Sequence, residues 1–210
     1  MTDWATVSAL ATAGGTLVLA VATFAAVRSA NRSARVTERA LLAGLRPVLV
    51  PSRLEDPPQK VGFRDEHWFR VGGSRGVADV NDDGIFLAMA VRNVANGLAV
   101  LDRWEFYPGV YTDELDTDCT PNFHRLTRDL WVAAGDIGFW QGALRDPDEP
   151  GFDKVREVIV NHEPFTIDVL YGDHEGGQRT VSRFLLRPTK DGEWFATVGR
   201  HWNLDRADPR

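Results

Sequence analysis

Three groups of residues have the types and spacing that chemistry uses, and each also has a purely local reading. Asp79-x-Asn81-x-Asp83-Gly84 matches the opening of a calcium-binding loop, in which oxygen ligands recur at alternate positions. The bidentate glutamate that closes such a loop at its twelfth position is here Ala90, and the flanking runs have strand character, so the segment reads as a turn. Asp173, His174 and Glu175, with His201 further on, supply metal-ligand or acid–base residue types. They sit inside Gly172 to Gly177, where polar and conformationally permissive residues are what a hairpin needs in order to turn. Cys119 with His124 would suit nucleophilic catalysis, but Asp113, Glu114, Asp116 and Asp118 surround the thiol with negative charge, which disfavours the thiolate. No Gly-x-Ser-x-Gly elbow, His-Glu-x-x-His helix, phosphate-binding glycine loop or dinucleotide fingerprint occurs. The sequence therefore assigns no catalytic residue, no metal ligand and no cofactor.

The elements that would position any such site divide into two regions. Val7 to Val27 runs 21 residues without a charge, long enough as a helix to span a bilayer, although seven alanines dilute its apolar character. The residues before it carry Asp3 and no Lys or Arg, unlike a cleaved signal peptide. Arg28, Arg32, Arg35 and Arg39 follow at spacings of three and four, on one face of a continuing helix that Pro47 stops. They are the expected contacts with the membrane surface, through anionic headgroups or simple snorkelling. Their excess over the N-terminal flank predicts a single-pass protein of the bacterial inner (cytoplasmic) membrane with its C-terminal domain cytoplasmic. Small residues four apart, such as Ala9 and Ala13 or Ala22 and Ala26, allow a homo-oligomer through the span. The expected divisions are a tail over 1–6, a transmembrane helix over 7–27, a basic stalk over 28–45 and a domain over 46–210.

After Arg46 there are 19 Lys and Arg against 28 Asp and Glu, so the domain is net −9. That balance argues against a general nucleic-acid binder and suits a module displayed to soluble partners. Short runs rich in Val, Phe, Trp and Leu predict nine strands: 47–53, 67–71, 77–80, 85–93, 99–107, 136–144, 165–170, 179–186 and 194–202. Asp82-Asp83-Gly84, Gly172 to Gly177 and Lys190 to Glu193 are hairpin turns between them. Phe152, Val155, Val158 and Ile159 have helical spacing and predict one short helix. The fold class is mainly β: a transmembrane helix and stalk followed by an antiparallel β-sandwich of immunoglobulin-like type, with a closed barrel as the alternative. Of Trp68, Trp104, Trp131, Trp140, Trp194 and Trp202, most belong in the core, while Arg103-Trp104 and Arg200-His201-Trp202 combine residues that favour interfaces.

Leu45-Arg46-Pro47-Val48-Leu49-Val50 and the strand and turn from Leu87 to Ala99 resemble a loose group of uncharacterised bacterial membrane-anchored β-domain proteins. Ala95 and Leu98 depart from that group's glycine-rich turn. Tyr171 to Thr180 and Arg200 to Asp205 resemble actinobacterial single-pass membrane proteins, and the resemblance implies architecture only. The expected function is a membrane-anchored binding or scaffolding module with the lipid bilayer and a protein as partners. The alternatives are a small-ligand sensor or hydrolase using the Asp173 to Glu175 loop, and a structural envelope protein with its domain outside.

Overall fold

The computed structural model describes residues 3–64, 66–118 and 120–206. They form two compact units, one ending at Gly44 and the other beginning at Leu45. The first is a single helix, α1 (Trp4–Leu45). Val7–Leu45 includes a stretch of mean hydropathy 1.9 that is long and apolar enough to cross a membrane, and none of it is buried inside the protein. Leu10, Leu17, Leu19 and Phe24 are exposed, so the apolar surface is not the core face of a soluble domain. Thr12, Thr16 and Thr23 donate their hydroxyls to the carbonyls four residues back at 2.8–2.9 Å. These three hydroxyls are thereby satisfied within the helix. The helix continues without a break through Arg28, Arg32, Arg35 and Arg39, and Arg28, Arg32 and Arg35 share a strip with Phe24, Val27 and Asn31.

The second unit is mainly antiparallel β structure, as the sequence predicts. In chain order it runs β1 (Leu49–Pro51), β2 (Gln59–Gly62), β3 (Trp68–Val71), β4 (Arg75–Asn81), β5 (Gly84–Asn93) and β6 (Ala99–Pro108). The short β7 (His124–Arg125) and β8 (Trp131–Val132) precede β9 (Ile137–Leu144) and the helix α2 (Phe152–Val160). The chain closes with β10 (Phe165–Gly172), β11 (Thr180–Pro188) and β12 (Trp194–Asn203). The nine strands and the short helix expected from the sequence are all present, whereas β2, β7 and β8 are additional.

Ten strands form one hydrogen-bonded sheet in the order β1-β5-β4-β12-β11-β10-β6-β7, with β9 on β5 and β8 on β6. β4 and β1 share one edge of β5, and β9 lies along the other. The two layers that enclose the core therefore belong to one curled sheet. Trp104, Trp140, Trp194, Phe165 and Phe184 fill its inside, and α2 adds Phe152, Val155, Val158 and Ile159 from one face. β5 reads as an unbroken apolar run because both its faces are covered. Ile85, Leu87, Met89 and Val91 face the main core, while Phe86, Ala88 and Ala90 face Val61, Phe63 and Val71 of the β2–β3 hairpin.

β10 is buried on both faces by a different device. The segment after β6 lies as a strap over the outer face of β10, β11 and β12. The Tyr111 amide donates to Thr166 Oγ1 at 3.1 Å, and the Thr166 hydroxyl donates to the Gly109 carbonyl at 2.9 Å. Arg200 and the Trp202 indole both donate to the Glu114 carboxylate, and Arg183 donates to the Asp113 carbonyl. The acidic stretch from Asp113 to Asp118, read from sequence as a loop, is tied down at these points. Cys119 lies outside the described residues.

Gly142 on β9 marks the tightest packing. A Cβ there would lie 2.8 Å from ring carbons of Trp104 and 2.9 Å from Trp140, two buried indoles whose centroids are 5.3 Å apart at 73°. Neither ring is a flexible end that can swing aside. Gly142→Ala is expected to destabilise the domain by about 1–3 kcal/mol through overpacking. Urea unfolding of the full chain in nanodiscs checks this, and an unchanged midpoint would show that the indole pair can shift without cost.

Candidate functional site

The curled sheet has a seam where its two ends approach each other, and a cleft of about 500 Å³ opens there. One wall is β9 with Gln141, Gly142 and Ala143. The other is β7 and the residues after it, from His124 to Arg128, while Phe63, Arg145 and Glu149 complete the lining. Trp104 forms part of the floor. Its position follows from strand pairing: Trp104 lies opposite His124 on β7, and the two rings are in contact, tilted by 32° with centroids 4.8 Å apart. His124 Nδ1 is 3.1 Å from Glu149 Oε1, which ties the β7 wall to the turn before α2.

Four guanidinium groups surround this opening, from Arg64, Arg125, Arg128 and Arg145, all on exposed residues. Two described carboxylates beside it have local partners. Glu149 faces His124, and Asp129 accepts a 2.7 Å hydrogen bond from Gln141 Nε2. Asp129 has a left-handed backbone (φ 49°), a conformation aspartate tolerates better than most residues. The other end of the Gln141 amide, Oε1, is buried with no hydrogen-bond partner, as is the Trp140 indole Nε1. In chemical terms the cleft is an anion-attracting, partly aromatic recess set in a domain whose overall charge is negative.

A second polar centre lies on the outer face of the sheet. Asp168 and Arg183 face each other across β10 and β11 and form a bidentate pair at 2.7 and 2.8 Å, with both side chains buried. Arg183 also lies over the rings of Tyr111 and Trp202, at 4.5 and 4.6 Å from their centroids. Burial raises the Asp168 carboxyl above its ordinary value, against the two Arg183 hydrogen bonds that lower it. Burial likewise pushes up the Tyr107 hydroxyl, and the neighbouring Asp168 charge adds to that shift. This cluster fixes the strap to the sheet and has no open face of its own.

The residues singled out from sequence fall elsewhere. Asn81 and Asp83 form the turn between β4 and β5: Asn81 Oδ1 accepts the Asp83 amide at 2.9 Å, and Gly84 takes φ 137°. Asp173 is buried and closes the β10–β11 turn, accepting from the Gly177 amide at 2.9 Å and from Gln178 Nε2 at 3.2 Å. His174 and Glu175 are exposed at its tip. His201 Nδ1 pairs at 2.6 Å with the hydroxyl of Ser182, which also bonds Tyr171 at 2.7 Å. Ser182 and Tyr171 are fully buried, so this chain of bonds staples β10, β11 and β12 together. Among the described residues, no three His, Cys, Asp or Glu side chains are grouped to hold a metal ion. Arg103 donates to the Pro121 carbonyl in the strap, while its neighbour Trp104 points inward.

Sequence reasoning missed the cleft arginines. Arg125 and Arg128 are close in the chain, but Arg64 and Arg145 are brought to them only by the fold. The one local hint was Arg103-Trp104, of which Trp104 alone reaches the site. The fold and site define a class, a helix able to span a membrane joined to an antiparallel β domain with a basic cleft. No family model, curated protein or solved structure matches this chain.

Proposed function

We propose that this protein is a membrane-anchored binding module that recruits a protein partner at the cytoplasmic face of a bacterial inner membrane. α1 crosses the bilayer with its Arg28, Arg32, Arg35 and Arg39 face at the inner headgroups, following the charge rule for membrane topology. The β domain is cytoplasmic and offers its arginine-lined cleft for recognition. The observation that carries this reading is the concentration of Arg64, Arg125, Arg128 and Arg145 around one recess of an otherwise acidic domain. A like-signed bulk charge holds the domain off anionic lipid, while the local basic recess attracts an anionic partner. The cleft's size also lies in the range of small-molecule sites and arginines surround it, which favours a small-anion sensor as the second reading.

Two measurements test the proposal. An impermeant maleimide is expected to label Cys119 only in permeabilised cells, with denatured cells proving that the thiol reacts; labelling in intact cells would place the domain outside. Affinity capture with the full chain is expected to retain protein partners that the variant Arg125→Glu/Arg128→Glu loses. Partners retained equally by both forms would remove the cleft from recruitment.

A further inference from the structure

The cleft lies where the sheet's hydrogen bonding is interrupted, and the strand registers show which backbone groups face it. In an antiparallel pair, opposed residues alternate between those that exchange hydrogen bonds across the pair and those whose N–H and C=O point the other way. The Asn93 amide donates to the Asp136 carbonyl at 3.0 Å, and Asn93 continues the β5–β9 register in which Arg92 opposes Ile137. Along β9, Gly138, Trp140, Gly142 and Leu144 therefore bond β5. The backbone groups of Phe139, Gln141 and Ala143 point away from it. The other side of β5 agrees, since the Ser52 amide donates to Ala90 and the Val94 amide to Val48, both even-numbered positions on β5. Among the described residues β9 pairs with β5 alone, so its outer side is a free strand edge there.

The opposite wall has the same character. The Leu126 amide donates to the Asp102 carbonyl at 2.8 Å, continuing the register in which His124 opposes Trp104. Leu126 and His124 thus face β6, and the backbone groups of Arg125 and Thr127 turn away from β6. Two unpaired edges, at 141–143 and at 125–127, line one cleft. Free edges are templates for strand addition, and proteins commonly guard them with charge. Here Arg64, Arg125 and Arg128 guard the edges with positive charge, while Glu149 in the same lining is held by His124, so the cleft selects acidic strands.

We propose that the cleft takes up an extended acidic peptide segment of the partner protein as an added strand on β9. The segment's backbone bonds the free groups of Phe139, Gln141 and Ala143. Its acidic side chains meet Arg64, Arg125 and Arg128. Main-chain bonding supplies affinity and the arginines supply selection, the usual division in strand addition. A small anion would meet the arginines but leave the strand edge unused. This inference rests on the recruitment reading above and names the chemistry of its partner.

The test uses the full chain in phosphatidylcholine nanodiscs and fluorescence anisotropy of short labelled peptides. One peptide alternates glutamate with valine, a second replaces each glutamate by lysine, and a third is the acidic peptide N-methylated at alternate amides. N-methylation keeps the charge but removes the donors that a strand ladder needs. The acidic peptide is expected to bind, the basic one not to bind, and the N-methylated one to bind at least about tenfold more weakly. Arg125→Glu/Arg128→Glu, at two exposed positions, should weaken the acidic peptide by about tenfold or more and steepen no salt dependence. Equal binding of the N-methylated and parent peptides, complete displacement by inorganic pyrophosphate of a complex insensitive to N-methylation, or no binding of the acidic peptide would each overturn the added strand. If cellular partners are still lost in the arginine variant while the N-methylated peptide binds normally, recruitment stands and strand addition falls. If partners are captured independently of the arginines, recruitment through the cleft falls.

Discussion

Replacing Asp168 by alanine is expected to lower the stability of the β domain by about 3–5 kcal/mol, because it strands the Arg183 guanidinium in a buried site. The loss comes from an orphaned charge and not from the disappearance of a strongly favourable bond. Desolvation offsets most of what a buried pair gains, so the double replacement Asp168→Leu with Arg183→Met should recover most of the stability lost by the single change. Urea unfolding of the full chain in nanodiscs, followed by near-ultraviolet circular dichroism, separates the two forms. A double variant as unstable as the single one would show that the strap, which Arg183 also holds through Asp113 and the rings of Tyr111 and Trp202, depends on this arginine itself.

The pair also has a pH signature whose sign follows from burial. The folded Asp168 carboxyl titrates above its ordinary value. A carboxyl raised on folding binds its proton more readily in the native state, so its contribution is fully present below the unfolded pKa and lost as pH rises through the folded one. Asp168→Asn should remove that part of the acid-range stability profile. An unchanged profile in the variant would assign the slope to other carboxylates, such as Glu105, which burial also raises against the opposing charge of His124.

Trp104→Ala is expected to cost about 3–5 kcal/mol, the range for deleting a large buried aromatic side chain. Trp104 stands between two environments: it packs edge-on against Trp140 and over Gly142 in the core, and it carries the His124 ring in the cleft. Its removal should therefore have a second effect, weaker binding of any cleft ligand, because β7 loses the surface that His124 contacts. Trp104→Phe keeps an aromatic surface and should retain most of the stability. Thermal unfolding and the anisotropy assay on both variants provide the readouts. A stability loss confined to Trp104→Ala with unchanged peptide affinity would separate the core from the cleft and show that β7 is positioned by its strand pairing and Glu149 alone.

Much of the architecture was legible in the chain because it depends on neighbours in sequence. An uncharged stretch from Val7 to Val27 followed by arginines at helical spacing can only be satisfied as a long helix, and α1 continues through both parts. Ile85 to Val91 is apolar without interruption because its two faces are both covered, and Phe152, Val155, Val158 and Ile159 declare a helix with one buried face. The turns at Asp83-Gly84, Asp173 to Gly177 and Asp191-Gly192 are written in residues that turn the backbone. By contrast, β7 and β8 are only two residues long, too short to show a period, and β2 buries Val61 alone at its full depth. Those strands exist because partners from elsewhere in the chain hold them.

The candidate site belongs wholly to this second kind of information. Arg64 follows β2, Arg125 ends β7, Arg128 lies three residues beyond it and Arg145 follows β9; nothing in the neighbouring sequence of any of them marks a site. The acidic side chains from Asp113 to Asp118 are exposed, and what ties the segment down is Arg183 on the Asp113 carbonyl and Arg200 on the Glu114 carboxylate, partners far away in the chain. The sequence by itself determined the helix long and apolar enough to span a membrane, the antiparallel β class, the turns and the helix that caps the core, all of which rest on local periodicity and backbone preference. Tertiary structure alone decided that one curled sheet would stop short of closing, that Asp168 would meet Arg183, and that four arginines would share a cleft with two free strand edges. Charge pairing and edge exposure depend on the register between strands distant in the chain, and no local pattern of residues records that register.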